Sequence, residues 1–153
     1  MISRAKLHAM QIEVLTKKGR TDPMPETEVN GILFKMNTDL RTLKKGEADG
    51  ALIDSLREGF LLPAWAARDV PVGDGQELIK ARQLACDAAF KALTAMKTDG
   101  RYIAKGSEIK TLNEGYTAAV ELYDTLPEWC FLKAGLDYWK MQLGLHRKRG
   151  KRK

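Results

Sequence analysis

The stretch from Gln76 to Met96 constrains the fold more than any other part of the chain. It contains six alanines and neither glycine nor proline, and Ile79 is its one β-branched residue before Thr94. Alanine has the highest helix propensity, and its small side chain lets neighbouring backbones approach closely. The apolar residues recur at steps of three and four, at Leu78, Ile79, Ala81, Ala85, Cys86, Ala89, Phe90, Leu93 and Met96. This spacing predicts a buried central helix against which the other helices pack.

Two further helices are predicted before the central one. The first begins near Glu26 and ends at Gly46, and Gly31 within it is expected to mark a close helix contact. Its apolar stripe comprises Val29, Ile32, Leu33, Met36, Leu40 and Leu43. The second begins near Asp49 and is expected to kink or end at Pro63. The loop that follows contains Asp74, which is a predicted N-cap for the central helix.

Two more helices are predicted after the central one. Ser107 is expected to cap the first, and the second is expected to start at Pro127 and to end at Gly144. Their apolar stripes comprise Ile109, Leu112, Tyr116, Ala119, Val120 and Tyr123, and then Trp129, Leu132, Leu136, Trp139 and Leu143. No stretch alternates apolar and polar residues over a useful length, so no sheet is expected.

These patterns together predict an all-α protein, a compact bundle of four to five helices. The helical domain covers residues 26–145 and fits a chain of 153 residues as a single domain. Residues 1–25 are expected to form a flexible N-terminal arm or a weakly docked helix. Residues 146–153 form a basic C-terminal tail.

The positive charge of the chain is concentrated in that tail. The chain has 26 Lys and Arg and 20 Asp and Glu, for a net charge of +6. Six of the cations lie in the tail, which leaves 20 basic and 20 acidic residues elsewhere. They are Arg147, Lys148, Arg149, Lys151, Arg152 and Lys153. Because like charges repel, the tail is expected to stay unfolded without a partner, and phosphate backbones of DNA or RNA are the partner that this composition favours.

The residues that carry most catalytic and metal chemistry are sparse. His8 and His146 lie near opposite ends of the chain, and no phosphate-binding loop, metal-ligand cluster or nucleophile motif is present. Cys86 and Cys130 lie in apolar stretches without a CxxC motif, which predicts reduced core cysteines. We therefore expect no enzyme activity, no catalytic residues, no metal and no cofactor. The absence of a long apolar segment predicts a cytoplasmic protein without membrane contact.

The order of several short segments is similar to that of a known group of proteins. A helix ending Leu-Arg-Thr-Leu-Lys-Lys-Gly is followed by an Ala-rich helix, then Asp-Gly-Arg-Tyr, and then Ser-Glu-Ile-Lys-Thr-Leu-Asn-Glu-Gly leading to Leu-Tyr-Asp. This order resembles short uncharacterised helical proteins of proteobacterial prophages, plasmids and integrative elements, over roughly residues 27–140. The resemblance implies a mobile-element setting and no particular activity.

Two functions follow as hypotheses. In the first, the protein is an accessory or regulatory protein of a mobile element that associates with nucleic acid through the tail. The alternative is that the tail only keeps the protein in solution, or has a weak and incidental affinity for polyanions. In the second, the protein binds and modulates a host enzyme or defence complex through an aromatic helix face. Phe131 and Tyr138 fall partly off the apolar stripe of the last helix, so they are the candidates for that interface. The more common alternative is that such aromatic residues only cover the core.

Overall fold

The protein is all-α, as the sequence predicts. The computed structural model describes the backbone of residues 3–18, 20–68, 70 and 76–151, and the side chains of these residues as far as Gly144. The described ranges contain six helices rather than four or five, together with an isolated bridge between Pro23 and Pro127. The helices are α1 (Arg4–Lys17), α2 (Glu26–Lys44), α3 (Gly50–Arg68), α4 (Gln76–Asp99), α5 (Gly106–Thr125) and α6 (Glu128–Lys151). None of the described helices is long and apolar enough to cross a membrane.

Helix α4 is the centre of the bundle and packs along α3 and α5. Cys86, Leu93 and Met96 are fully buried on its inward side. The expected burial of Leu78 is wrong, because 54% of its surface is exposed. Ile79 is the half-buried residue that continues the inward row of Cys86 and Leu93 at seven-residue steps, and Leu78 lies about 100° away from it around the helix.

Helix α5 crosses α4 at a glycine that the sequence patterns did not single out. A Cβ atom on Gly115 would lie 2.6 Å from the Cβ of Ala89 and 3.2 Å from the carbonyl oxygen of Ala85. The two backbones are therefore too close for any larger side chain. Gly31, for which a close helix contact was predicted, has no such neighbour within 4 Å, so that prediction is wrong.

Replacing these two glycines should have opposite effects. Gly115→Ala should destabilise the fold by about 1–3 kcal/mol, because the new methyl group overlaps Ala89 and forces the helices apart. Gly31→Ala, the matched control in open space, should stabilise it by up to about 1 kcal/mol through helix propensity. Chemical denaturation of both variants measures the difference. Equal effects of the two substitutions would contradict the close crossing.

Helix α3 continues through Pro63 instead of ending there. Proline has no N–H, so it removes the usual helical partner of the carbonyl four residues earlier, that of Gly59. The Tyr123 hydroxyl on α5 donates a hydrogen bond to that carbonyl oxygen at 2.8 Å. Burial raises the pKa of Tyr123, which keeps the hydroxyl protonated as a donor. A residue 60 positions away in sequence thus compensates for the proline and lets α3 reach Arg68.

A double-mutant cycle tests this compensation. Tyr123→Phe should cost about 1–3 kcal/mol in the natural chain, because it leaves the half-buried carbonyl of Gly59 without its hydroxyl donor. After Pro63→Ala the new N–H can satisfy the same carbonyl, so Tyr123→Phe should cost less. Denaturation of the four proteins gives the coupling free energy. The same cost in both backgrounds would show that the Tyr123 hydrogen bond does not compensate for Pro63.

Helices α3 and α5 are capped at their N-termini in two different ways. The carboxylate of Asp49 accepts a hydrogen bond from the Leu52 N–H at 2.8 Å, so α3 begins where predicted. Helix α5 begins at Gly106, so the prediction of Ser107 as its N-cap is wrong. The Glu108 carboxylate accepts instead from the Lys105 N–H at 2.9 Å and is paired with Arg101, whose hydrogen bonds lower the pKa of Glu108. Asp74, the predicted cap of α4, lies outside the described residues.

The N-terminal segment is a docked helix, so the alternative of a flexible arm is wrong for α1. Val14 is buried, and Lys17 forms an ion pair with Glu128 at the start of α6. The Glu128 N–H also donates to the carbonyl oxygen of Asp22 at 2.8 Å. Residues 20–25 therefore run past the start of α6 and connect α1 to α2.

Helix α6 does not end at Gly144. Gly46 has a φ of 78° and ends α2 as predicted, whereas Gly144 is not among the described glycines with positive φ. Glycine permits the left-handed conformation but does not require it. The backbone remains helical to Lys151, and the expectation of an unfolded tail is wrong for residues 146–151. Like-charge pairs on a helix surface cost only a few tenths of a kcal/mol each, which a helix anchored in a core can tolerate.

Candidate functional site

Four of the six predicted nucleic-acid-binding residues lie in the last turns of α6. The structure places the backbone of residues 147–151 on the helix. The side chains of Arg147, Lys148, Arg149 and Lys151 lie outside the described part of the structure, as do Arg152 and Lys153 altogether. Helix α6, whose first half is buried in the bundle, therefore continues into the basic residues as far as Lys151.

The two predicted interface aromatics have different environments. Phe131 is buried, and its ring stacks on that of Tyr123 at a centroid distance of 5.0 Å and an angle of 8°. Phe131 therefore covers the core, which was the alternative for both aromatics, and it is wrong as an interface candidate. Tyr138 is half-buried, with its ring centroid 6.4 Å from that of Trp65 and 5.6 Å from that of Trp139. It is the one of the pair that reaches the surface.

Tyr138 lines a groove of about 570 Å³ between α3, α4 and α6. Trp65, Phe90 and Met141 supply further apolar surface, and Leu61 forms part of the wall. The other lining residues are polar or charged: Asp54, Ser55, Arg57, Glu58, Asp87, Lys97 and Gln142. Sequence analysis missed this groove because its residues come from three helices, and only Tyr138 stood out from its own stripe.

Ion pairs neutralise one end of the groove. Asp54 accepts hydrogen bonds from Lys97 and from Arg57, and these lower the pKa of Asp54, chiefly through Lys97. The guanidinium of Arg57 also lies over the Phe90 ring at 5.1 Å and donates to the Thr94 hydroxyl at 3.0 Å. Glu58 has no ion pair within the described part of the chain. The groove thus combines aromatic surface with a free carboxylate, which suits an apolar segment that also carries a basic side chain.

The cysteines are confirmed as fully buried core residues, and neither forms a disulfide. Cys86 Sγ lies 3.7 Å from the carbonyl oxygen of Gly115, and burial raises the pKa of its thiol to about 12. The thiol is therefore protonated and shielded from reagents. His8 is exposed on α1, and the side chain of His146 lies outside the described residues. Across the described residues no group of three His, Cys, Asp or Glu could hold a metal ion.

No protein-family model, curated protein or solved structure matches this chain. The resemblance to proteins of prophages, plasmids and integrative elements therefore stays a prediction. The two surfaces described above, the basic end of α6 and the groove beside Tyr138, are the candidate functional sites.

Proposed function

We propose that this protein associates with nucleic acid through the basic end of α6, as a non-enzymatic accessory or regulatory protein of a mobile element, working in the cytoplasm. The observation that carries the proposal is the charge distribution. Six cations lie in the last seven positions of a chain whose remaining residues are formally neutral. A polyanion experiences its main long-range attraction at that end.

The physical basis of the association is counterion release. Each Lys or Arg that neutralises a phosphate displaces condensed cations from the nucleic acid, and six such contacts on duplex DNA give a salt slope of about −5. Contacts of this kind fix position on the backbone and read few base edges, so little sequence preference is expected. The helical backbone up to Lys151 supports the proposal, because it continues the folded bundle into the basic residues.

Removing the tail charges tests the proposal. A variant with Arg147, Lys148, Arg149, Lys151, Arg152 and Lys153 all changed to Gln keeps the chain length and should lose most non-specific binding to DNA and RNA. Its thermal midpoint should stay unchanged, because these residues lie beyond the buried part of α6. Fluorescence anisotropy with a labelled duplex at low salt measures the loss. If the variant binds as tightly as the natural chain, the binding site lies elsewhere on the fold.

The groove beside Tyr138 favours a second candidate function, the binding of a host enzyme or defence complex. Trp65, Tyr138 and Met141 provide an apolar anchor site, and Glu58 provides a carboxylate for a basic side chain of the partner. A pull-down from host lysate with and without nuclease separates the two functions. Partners lost on nuclease treatment support the nucleic-acid function. Partners retained with nuclease, but lost in Tyr138→Ala, support the protein-binding function.

A further inference from the structure

Helix α4 has an exposed face between the sides that pack against α3 and α5. Leu84 is at the centre of this face, and 59% of its surface is exposed. Residues three, four or seven positions from Leu84 lie within about 60° of it around the helix. They are Glu77, Lys80, Ala81, Asp87, Ala88 and Lys91, of which Asp87 is half-buried and the others are exposed. A large apolar side chain is therefore surrounded by two alanines and four charged residues.

The charges on this face are arranged so that two copies of it are complementary. Glu77 and Lys91 have opposite charges and lie seven residues from Leu84, in opposite directions. Lys80 and Asp87 lie four residues before and three residues after Leu84, and both line cavities together with α3 residues, so they share one edge of the face. An antiparallel pairing about a two-fold axis at Leu84 places Glu77 opposite the partner's Lys91, and Lys80 beside the partner's Asp87.

The remaining contacts on the face permit this pairing. Glu77 and Lys80 form no ion pair within the described residues, whereas Asp87 pairs with Lys91 at 3.0 Å on the next turn. An exposed pair of this kind is weak, and each of its side chains can also contact a charge on the partner. On the edge towards α5, the same symmetry brings Ala81 beside the partner's Ala88, and such small side chains let the two backbones approach closely.

We infer that the protein forms a symmetric dimer with a second copy of itself through the exposed face of α4. Leu84 packs on the partner's Leu84 at the two-fold axis, and the ion pairs on either side fix the antiparallel register. The segment from Glu77 to Lys91 extends about 21 Å along α4. An interface of one helix per copy is smaller than that of a permanent dimer, so monomer and dimer exchange in a concentration-dependent equilibrium. The dimer forms without nucleic acid and is independent of the proposed function.

Leu78 provides a matched control for Leu84. It is 54% exposed on the same helix, but it lies about 120° from Leu84 around the axis and so outside the face. Leu84→Glu should abolish the dimer, because it brings two carboxylates together at the two-fold axis, whereas Leu78→Glu should dimerise like the natural chain. Sedimentation equilibrium of nuclease-treated protein at up to about 1 mM measures the association. Circular dichroism should show the natural helix content in both variants, because both leucines are exposed.

Complementary charge variants test the register. In Lys80→Glu, residue 80 meets the partner's Asp87 with like charge, and in Asp87→Lys, residue 87 meets the partner's Lys80 with like charge. Each variant alone should therefore associate about tenfold more weakly than the natural chain. An equimolar mixture of the two should associate as tightly as the natural chain, because every one of these pairs has opposite charges in the mixed dimer.

The outcomes decide both the dimer and its geometry. A natural chain that stays monomeric up to about 1 mM would overturn the dimer. A Leu84→Glu variant that associates as tightly as Leu78→Glu would overturn the assignment to this face. A mixture that associates no more tightly than its two components would overturn the antiparallel register. Loss of the dimer in Leu84→Glu alone, together with recovery in the mixture, supports the inference.

Discussion

The hydrogen bond from Tyr123 to the carbonyl of Gly59 is the interaction on which the arrangement of the last helices depends. It satisfies a carbonyl that Pro63 would leave without its helical donor, and so α3 continues for another turn. That turn carries Trp65, which contacts Tyr138 of α6. Tyr123 itself stacks on Phe131, so one side chain fixes α3, α5 and α6 relative to one another. Trp65 and Tyr138, which line the groove, meet beside this junction.

The sequence predicted the central helix well because its signal is local. Alanines without a helix breaker and apolar residues at helical spacing are sufficient for α4, and the burial of Leu93 follows from them. Pro63 was assigned as a kink or a helix end and Gly144 as a helix end on equally local grounds, yet both helices continue past these residues. In the first case the deciding partner is 60 residues away in sequence. In the second, glycine adopts an ordinary helical conformation within a helix that the bundle already anchors.

The candidate sites differ in the same way, because only one of them is built from residues that are neighbours in sequence. The basic tail is a run of neighbouring residues, so composition alone identifies it. The groove needs residues from three helices, and the docking of α1 on α6 needs Lys17 to meet Glu128 across 111 positions of sequence. Phe131 was an interface candidate because it falls partly off the stripe of its own helix, yet Tyr123 of the preceding helix stacks on it and it belongs to the core. Helical periodicity describes one helix at a time and cannot include such neighbours.

Lysine footprinting tests most directly whether the basic end of α6 is the nucleic-acid-binding surface. The protein is acetylated with and without bound duplex DNA, and modification is followed lysine by lysine. Duplex should protect Lys148, Lys151 and Lys153, while the exposed Lys45, Lys80 and Lys110 elsewhere on the fold should react at unchanged rates. Protection confined to those three control lysines, or none anywhere at low salt, would contradict the account.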